Sequence, residues 1–374
     1  MKFSYTHHMP YTGIKEAGQD WPVANHQWDP ELGTELFNSY IDNKVYAEEV
    51  GFDWIGCNEH HMRPYGLMPN PNLVAAAIIQ RTTTAGILQS GNIVPLANPI
   101  RIAEEYAMLD VMSRGRLIAG FMRGIPHEYV AYNVSPEESY GRMYEACELI
   151  KKCWTETEPF GWEGEYYQYR AISIWPKPVQ TPHPRILMSG SSKASAKLAA
   201  EMGAIVGILR LTTMEGAREA IDDFRGFARD AGWEPVDDDI MIGVPCMICD
   251  TDQEAWDIAE AGNEYFTKVL GGGIRTAQKI VLQKTRYFET EEARQQFQKI
   301  SVNAARASVP ERAEQSLMVC GTPERAIAQI KELKKQLGHG RMNLNIKVGN
   351  TPDSAVLHCM AMLRDVVFPA VRDV

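Results

Sequence analysis

Residues 86–124, GILQSGNIVPLANPIRIAEEYAMLDVMSRGRLIAGFMRG, decide the fold because they form one complete strand–helix–strand pattern. The first part, GILQSGNIVPL, is a short apolar run that predicts a strand ending before Pro95. The middle part, PIRIAEEYAMLDVMS, has helical spacing, and RLIAGFMRG predicts a second strand with a glycine-rich exit. Strands joined through a helix lie parallel in one sheet, so this unit predicts an α/β protein.

The same alternation recurs along the chain. Strand patterns lie at 2–8, 52–57, 86–96, 116–124, 184–190, 204–208, 239–249 and 342–348. Helical spacing follows most of them, as in the helix pattern that stops at Gly51. Eight such repeats are the number found in a (β/α)8 barrel. We therefore predict an α/β fold, a (β/α)8 TIM barrel, and disfavour a doubly wound open sheet because it usually has fewer strands.

Two insertions interrupt this alternation, one after the fourth and one after the seventh predicted strand. Residues 155–184 are rich in aromatic residues and proline, which favours a hairpin with extended chain. Residues 262–316 are polar and contain three consecutive glycines, with helical patches around 276–286 and 291–306. Insertions of this kind in a barrel tend to be lids. We predict one domain over residues 1–374, with both insertions covering the active site.

The composition limits the class of partner. The chain has 374 residues, with 48 acidic and 38 basic side chains and a net charge of −10. Nucleic-acid binding needs a basic face, so no nucleic-acid partner is expected. The N-terminal MKFSYTHHMPYTG lacks the apolar stretch of a signal peptide, and no run approaches the roughly 20 apolar residues that span a bilayer. We expect a cytoplasmic protein without a membrane partner.

Seven cysteines form an odd, scattered set that is unlike a disulfide framework. Cys246 and Cys249 match Cys-x-x-Cys, but they lie in a strand pattern rather than at a helix start. A zinc ribbon would need a second such pair, and the sequence has none. We interpret both cysteines as buried strand residues.

Reacting groups of a (β/α)8 barrel lie at the carboxyl ends of its strands, and this rule selects candidates without any motif. In strand order they are His7 and His8, then Glu59, His60 and His61, then Ser90, Gly91 and Asn92, then Met122 and Arg123, and then Ser189, Gly190, Ser191 and Ser192. Two of these groups carry enough pattern to predict a type of chemistry.

The first group is an anion site on the turn MSGSSKASAKLAA, which contains glycine and leads into a helix. Ser191, Ser192 and Ser195 lie near the first helical turn, where N–H groups, hydroxyls and the helix dipole favour a phosphate. Arg123 on the neighbouring strand could add a bidentate contact. For either segment alone, N-capping by serine and a surface arginine is the stronger interpretation. Together, on adjacent strands, they favour a phosphate-bearing ligand.

The second group is Glu59, His60 and His61, which could be metal ligands, acid–base groups or a polar loop. A metal is disfavoured because adjacent histidines on an extended segment point in opposite directions, and the spacing matches no metalloprotease helix. Only one histidine is expected to face the barrel axis. In an aromatic-lined pocket beside a cofactor it would act as an acid–base group, since the ordinary pKa of histidine lies near neutrality.

Five segments then keep a common register over almost the whole chain. They are GFDWIGCNEHH, NPNLVAAA, NIVPLANPIRIAEEYAMLDVMSRGRLIAGFMRG, SSKASAKLAAEMG and CGTPERAIAQI. In these segments the chain resembles the luciferase-like flavin-dependent monooxygenases. The resemblance implies the barrel predicted above, reduced FMN as cofactor, and a separate NAD(P)H-dependent flavin reductase that supplies it. It also implies a homodimer packed through early barrel helices.

The resemblance implies a role for each candidate residue. The residues implied to hold FMN are Ser90, Gly91, Asn92, Met122, Arg123, Gly190, Ser191, Ser192 and Ser195. Arg123 and the serine turn would hold the phosphate, and the segment at Ser90 matches a strand that carries a non-prolyl cis peptide under the flavin ring. The implied catalytic group is His60, oriented by Glu59, in the motif that also contains His61. Met122 stands where bacterial luciferase has a cysteine, which disfavours luminescence and aldehyde specificity.

The implied reaction is oxygenation by a peroxyflavin formed from reduced FMN and molecular oxygen. Water would decompose this species, so the aromatic-rich insertion and the lid are expected to keep the site dry. The expected function is that of a two-component FMN-dependent monooxygenase acting on a small or medium organic substrate. Two alternatives stay open: a deazaflavin-dependent oxidoreductase of the same superfamily, and a flavin-binding protein without turnover.

Overall fold

Eight parallel strands close into a barrel in the structure, a computed structural model that describes residues 1–15, 21–271, 278–279, 281–288, 290–291, 294–295 and 307–374. The strands described are β1 Lys2–His7, β2 Trp54–Cys57, β3 Gly86–Gln89, β4 Asn92–Ile93, β5 Leu117–Met122, β6 Phe160–Glu163, β7 Gln168–Ile172, β8 Arg185–Ser189, β9 Ile205–Ile208, β10 Ile240–Ile248, β11 Val319–Gly321 and β12 Arg341–Lys347. The barrel order is β1, β2, β3, β5, β8, β9, β10, β12, and β12 closes on β1 with Leu344 beside Tyr5. The predicted (β/α)8 barrel is confirmed.

Helices connect the strands around the outside of the barrel. Those described are α1 Pro30–Val50, α2 Pro71–Ile79, α3 Pro99–Ser113, α4 Pro126–Ala131, α5 Ser139–Thr155, α6 Lys193–Glu201, α7 Met214–Asp230, α8 Asp252–Glu264, α9 Val309–Glu314, α10 Pro323–Leu337, α11 Asp353–Met362 and α12 Phe368–Val371. Asp29, Asn70 and Asn98 each cap a helix that opens with proline, because their side chains accept hydrogen bonds from first-turn N–H groups. α1 ends at Gly51, as predicted, where φ is 96°.

Apolar side chains pack in two layers. The larger layer lies between the strands and the helices and includes Cys246 and Cys249, which confirms their interpretation as buried residues. The smaller layer lies inside the barrel and consists of Leu88, Ile118, Leu187, Ile205 and Met241. Alternate residues of a strand point to opposite faces, which is why the same strands serve both layers. Met122, the last residue of β5, packs against the inner layer and borders the space at the carboxyl ends of the strands.

The strand predicted to begin at Gly86 and to end before Pro95 is wrong in its length. β3 stops after four residues, the peptide bond between Ser90 and Gly91 is cis, and β4 then continues the pairing with β5. A Cβ on Gly91 would lie 2.3 Å from the Gly120 carbonyl oxygen, so only glycine fits where these two segments of the chain meet. The apolar run gave no sign of this break, because apolar residues continue on both sides of it.

The hairpin predicted in residues 155–184 is present as β6 and β7, which pair antiparallel. It packs along α5, where Glu145 accepts hydrogen bonds from the Trp162 indole at 2.9 Å and from the Tyr166 backbone N–H at 2.8 Å. The Trp175 side chain is 85% exposed. These contacts place the hairpin on the flank of the barrel, and the cover predicted from it stays a prediction.

The insertion predicted at 262–316 begins in the last turn of α8. Neither α8 nor β11, which lies just after the insertion, was predicted from the sequence. A π-helical turn, Tyr265–Leu270, extends α8 towards the carboxyl ends of the strands. In the first predicted helical patch, residues 278–279 and 281–284 are helical and residues 285–286 are not. Residues 276–277 and 280, and most of the patch at 291–306, lie outside the described residues.

Among the described residues, one helical stretch, Asp353–Val371, is long and apolar enough by length and composition to cross a membrane, although polar residues such as Arg364 and Asp365 interrupt its apolar run. Its apolar side chains recur every three or four residues on one face. Val356, Met360 and Leu363 on this face are fully buried in the layer between helices and strands. The described residues therefore show the stretch packed as a barrel helix.

Candidate active site

His60 and Glu128 form a hydrogen-bonded pair at the barrel mouth. His60 follows β2, and Glu128 lies in the first turn of α4, just after the glycine-rich exit of β5. His60 Nδ1 lies 3.2 Å from Glu128 Oε1, and the Ile125 N–H donates to Glu128 Oε2 at 2.9 Å. Glu128 is fully buried, whereas the His60 ring remains partly accessible. The pair fixes the His60 ring and leaves Nε2 without a partner among the described residues.

The pKa of Glu128 lies below its ordinary value. Burial by itself raises the pKa of this carboxyl group, but the hydrogen bond and charge interaction with His60 and the Ile125 N–H outweigh burial. Glu128 is therefore ionised at neutral pH. A carboxylate beside Nδ1 holds the His60 proton on that nitrogen and leaves Nε2 as the basic atom of the ring.

Glu59 orients His61 and not His60, so the role expected for Glu59 is wrong in this respect. Glu59 Oε1 lies 2.6 Å from His61 Nε2, and its Oε2 accepts the Ile93 N–H at 2.8 Å. The Tyr132 hydroxyl lies 2.8 Å from His61 Nδ1. Both nitrogens of the buried His61 are thus engaged. The two histidines take different partners, as expected for neighbours on an extended segment.

A second histidine, His8, stands beside His60, with ring centroids 5.3 Å apart. The Asn58 side-chain amide donates to His8 Nδ1 at 2.7 Å. Burial, and then the neighbouring His60, lower the pKa of His8 to about 3, so His8 is neutral. Tyr65 lies 5.0 Å from the His60 ring and 5.3 Å from Phe266. These rings form an apolar wall that would exclude water from His60.

The end of β3 forms the floor of the site. Ser90 Oγ and Asn58 Oδ1 are buried and have no hydrogen-bond partner among the described residues. Asn92 connects the floor to the histidine side, because its side-chain amide donates to Glu59 Oε2 at 3.3 Å. Buried polar atoms without partners cost free energy. These two atoms therefore mark where a ligand would complete the hydrogen bonding.

Arg123 lies between two tyrosine rings. Its guanidinium carbon is 4.0 Å from the Tyr140 ring centroid and 3.9 Å from that of Tyr287. Nη1 donates to Ser139 Oγ and to the Tyr287 carbonyl oxygen, both at 3.1 Å. No described residue accepts from Nε or Nη2, and a guanidinium stacked in this way keeps those donors in one plane. Arg123 reaches the serine turn through Tyr140, whose hydroxyl lies 3.4 Å from Ser192 Oγ.

The serine turn caps α6 and keeps two hydroxyls on its accessible side. Ser192 Oγ accepts the Ser195 N–H at 3.2 Å, and Ser195 Oγ accepts the Ser192 N–H at 3.0 Å. The capping interpretation therefore holds for this pair. Ser191 is exposed, with its Oγ 3.0 Å from Ser189 Oγ. Gly190 is buried, and a Cβ there would lie 2.3 Å from a β9 side chain, so the turn requires glycine.

Sequence reasoning missed three residues at the mouth: Glu128, Tyr140 and Tyr287. An acidic residue in the first helical turn after the Gly-rich exit was the available signal for Glu128. Tyr287 belongs to the second insertion and carried no pattern. His7, which follows the same rule as His8, is buried away from the mouth, where the Met9 N–H donates to its Nδ1 at 3.1 Å.

A sequence model of luciferase-like monooxygenases matches residues 23–340. The match covers most of the chain and includes β2, which leads to His60 and His61, β5, which leads to Arg123, and β8, which leads to the serine turn. The chain therefore belongs to the luciferase-like monooxygenase family. This confirms the resemblance drawn from the five sequence segments.

Curated relatives are about a quarter identical to the chain over the segments that align. The alkanal monooxygenase alpha chain of Aliivibrio fischeri is 27% identical over 226 residues, which cover 60% of this chain and 63% of that one. The oxygenase component of the flavin-dependent trigonelline monooxygenase of Acinetobacter baylyi is 25% identical over 245 residues, covering 64% and 66%. The chain spans 60% to 66% of the length of the first curated relatives that it matches.

Solved structures match over nearly the whole chain. The monooxygenase RslO1 from Streptomyces bottropensis has a TM-score of 0.73 and 25% identity, covering 99% of both chains. The oxygenating constituent of 3,6-diketocamphane monooxygenase from Pseudomonas putida, in complex with FMN, has a TM-score of 0.74 and 17% identity, covering 95% and 98%. An F420-dependent secondary alcohol dehydrogenase has a TM-score of 0.69 and 18% identity, covering 100% of both. The last two structures are 17% and 18% identical to this chain, so these matches show a shared fold and not a shared function.

Proposed function

We propose that the protein is the oxygenase component of a two-component monooxygenase that uses reduced FMN and molecular oxygen on a small or medium organic substrate. The observation that carries this proposal is the His60–Glu128 pair, which places a basic nitrogen at the mouth beside an aromatic wall. Among the curated relatives is a flavin-dependent oxygenase component, which supports the same class of reaction.

The residues at the mouth fit FMN. Ser90 Oγ and Asn58 Oδ1, which have no partner among the described residues, would provide polar contacts for a heteroaromatic ring, and Gly91 has no side chain where its backbone meets Gly120. Arg123 has free donors for a phosphate, and the exposed Ser191 hydroxyl lies on the neighbouring strand end. When bound, reduced FMN supplies the electrons that activate oxygen.

The chain itself would supply binding, orientation and proton transfer. Arg123 and the turn at Ser191 would bind the phosphate, as the resemblance implies. His60 Nε2 would accept or return a proton at the reacting oxygen, while Glu128 holds Nδ1 and stabilises the imidazolium. Tyr65 and Phe266 would keep water from that nitrogen. Glu59 would connect His61 to the segment at Asn92 and Ile93, and so fix the position of the histidine loop relative to the end of β3.

Two further expectations belong to this proposal. A separate NAD(P)H-dependent flavin reductase would deliver reduced FMN, because the relative from Acinetobacter baylyi is itself named as one component of its system. A homodimer would pack through early barrel helices, where α3 exposes Met108, Val111 and Met112. The oligomeric state is measured by sedimentation of the full chain.

Rapid mixing of oxygen with the protein and reduced FMN tests the proposal. We expect a flavin absorbance signal, distinct from oxidised FMN, that persists for seconds and shortens when a substrate is added. Immediate return to oxidised FMN with release of hydrogen peroxide would contradict it. Tight binding of F420 without that signal would support the deazaflavin-dependent alternative, and tight FMN binding without any reaction would support cofactor storage.

A further inference from the structure

His8 and His60 reach the barrel mouth from two different strands, and the loops that carry them are bonded to each other. His8 follows β1, and His60 follows β2, which pairs with β1. The Leu67 N–H beyond His60 donates to the Met9 carbonyl beside His8 at 2.9 Å. The two rings lie 5.3 Å apart and at 75° to each other. The chain itself therefore holds the two loops, and the rings that they carry, next to each other.

The direction of the His8 side chain follows from the alternation along β1. Tyr5 and His7 lie on the helix side of this strand, where the His7 ring is 5.4 Å from Tyr5 and 5.1 Å from Tyr40 of α1. Successive residues of an extended segment point to opposite faces, so His8 points towards the barrel interior. In agreement, Tyr5 and His7 are buried, whereas His8 is partly accessible.

The partners of the two rings give their Nε2 atoms opposite roles. The Glu128 carboxylate holds a proton on His60 Nδ1, which leaves His60 Nε2 as an acceptor. The Asn58 amide nitrogen lies 2.7 Å from His8 Nδ1 and can only donate, so His8 carries its hydrogen on Nε2, which is a donor. No described residue bonds to either Nε2. The histidine side of the mouth thus offers one acceptor and one donor on neighbouring rings.

His8 offers this donor without a charge. Burial, and next the neighbouring His60, lower the pKa of His8 to about 3, so the ring is neutral over the ordinary pH range. The carboxylate of Glu128, which bonds to His60, is ionised at neutral pH. A neutral donor close to an ionised carboxylate favours an uncharged acceptor, because a second anion would be repelled.

Two buried cations, Lys44 and Arg63, also lower the pKa of His8. Lys44 donates to the Gly56 carbonyl at 2.6 Å, and Arg63 Nη2 lies 3.0 Å from His127 Nδ1. Both side chains are buried. They therefore help to keep His8 neutral without presenting an exposed charge to a ligand.

We propose that His8 is a further catalytic residue, which donates its Nε2 hydrogen to a neutral carbonyl oxygen of the organic substrate while His60 acts on the reacting oxygen. The hydrogen bond requires no transfer of the His8 proton, so the ring stays neutral. Such a donor polarises the carbonyl group and stabilises negative charge that develops on its oxygen. The proposal rests on the proposed function in calling the ligand a substrate, and it restricts the substrate class to ketones and other uncharged carbonyl compounds.

Nitrogen NMR of the full chain, with isotope-labelled histidine and without flavin, tests the donor directly. We expect His8 to carry hydrogen on Nε2 and none on Nδ1 from about pH 5 to about pH 9. Its signals are identified by their loss in His8→Gln. Asn58→Asp should move the hydrogen to Nδ1, because a carboxylate accepts where the amide donates. Hydrogen on Nδ1 in the unmodified protein, or a charged His8 ring above about pH 5, would overturn the proposal.

Small neutral acceptors test whether a ligand reaches this donor. Dimethyl sulfoxide, acetone and acetonitrile are similar in size and decrease in acceptor strength in that order. We expect a saturable change in the His8 Nε2 resonance that follows this order, whereas the exposed His26 responds only to the bulk solvent. Acetate should bind no more tightly than acetone, because Glu128 is ionised. Equal responses of His8 and His26, or tighter binding of acetate, would overturn the assignment to a neutral carbonyl.

Product formation from a panel of ketones, with reduced FMN and oxygen, tests the catalytic role. His8→Leu removes the donor, so product formation should fall about tenfold or more while FMN affinity stays within about twofold. His8→Gln keeps an N–H donor and should recover part of the loss. His26→Leu, at an exposed histidine, is the control and should match the unmodified protein. Equal product formation by His8→Leu and the unmodified protein would overturn the catalytic role.

The NMR measurements use neither flavin nor oxygen, so they separate this proposal from the proposed function. If the unmodified protein forms no product while the His8 donor and its response to acetone are observed, the monooxygenase proposal fails and His8 stands as a carbonyl-binding residue. If product is formed but His8 lacks the Nε2 hydrogen, the monooxygenase proposal stands and the role of His8 is wrong.

Discussion

The histidine side and the cation side of the barrel mouth are built in different ways. On the histidine side, Glu59, His61 and Glu128 engage one another or the backbone through short hydrogen bonds. On the cation side, Arg123 keeps donors that no described residue accepts, and Ser191 is exposed. The first side is organised by the chain itself, and under the proposed function the second would be completed by the ligand. Reaction geometry and cofactor affinity should therefore respond to different mutations.

The largest effect should come from His60→Ala. Loss of the ring removes the nitrogen that we propose transfers the proton, so product formation should fall at least about 100-fold while FMN affinity stays within about twofold. The measurement is product formed per oxygen consumed, with FMN binding followed by flavin fluorescence. His26→Ala, at an exposed histidine, is the control and should match the unmodified protein. If His60→Ala still forms product at the normal rate, the histidine side would not be the side that controls the reaction.

Arg123→Ala should act on the opposite side. We expect the FMN dissociation constant to rise about 10- to 100-fold, because one or two charge-assisted hydrogen bonds are lost, while riboflavin affinity stays unchanged. Fluorescence titration with both flavins measures this. Arg101→Ala removes an exposed arginine on α3 and serves as the control. An equal loss for FMN and riboflavin would show that Arg123 contacts the ring and not the phosphate.

Glu128→Gln should reveal how strongly the histidine side is organised. Because the pKa of Glu128 is depressed on folding, its contribution to stability is present above the unfolded pKa of about 4.3 and lost as pH falls through the folded value. At pH 7 the variant should therefore lose about 1–3 kcal/mol of unfolding free energy. The deficit should shrink below about pH 4.3. Urea unfolding across pH measures this, and the exposed Glu163→Gln is the matched control. If the loss of unfolding free energy in Glu128→Gln did not change with pH, Glu128 would not be an ionised partner whose pKa is lowered on folding.

The smallest effects should separate two serines of the same turn. Ser191→Ala should weaken FMN binding about two- to threefold with little change in stability, because its exposed hydroxyl contacts only the Ser189 hydroxyl among the described residues and does not cap the helix. Ser192→Ala should also lower the free energy of unfolding by about 1 kcal/mol, since it removes the cap of α6. Thermal unfolding and FMN titration of both variants make the comparison. Equal stability losses would show that the cap does not depend on Ser192.

Much of the barrel follows from sequence because its strands and helices are set by local signals. The run from Pro99 to Ser113 begins at the Asn98 cap and ends where predicted, and Gly51 ends α1. The break in the strand after Gln89 could not be predicted, because it depends on how β3 meets Gly120 of β5. That is a contact between distant chain segments and leaves no local pattern.

The site was predictable to the level of which strand ends contribute to it. His60, Arg123 and the serine turn all lie at the mouth, as the strand-end rule requires. The pairing was not predictable: Glu59 is adjacent to His60 in sequence, yet Glu128 reaches it across the barrel end. Side-chain direction on an irregular loop depends on the packing around it, which neighbours in sequence do not report.

The position of Arg123 has a consequence for how ligand and chain influence each other. A single nitrogen of Arg123 bonds both to Ser139 at the start of α5 and to the Tyr287 carbonyl in the second insertion. Any free energy that a phosphate gains or loses by reorienting this guanidinium is shared with the segment around Tyr287. By reciprocity, if phosphate binding stabilised that segment, a second ligand that stabilised the segment would raise phosphate affinity. Amide hydrogen exchange near residue 287 would thus act as a gauge of cofactor occupancy.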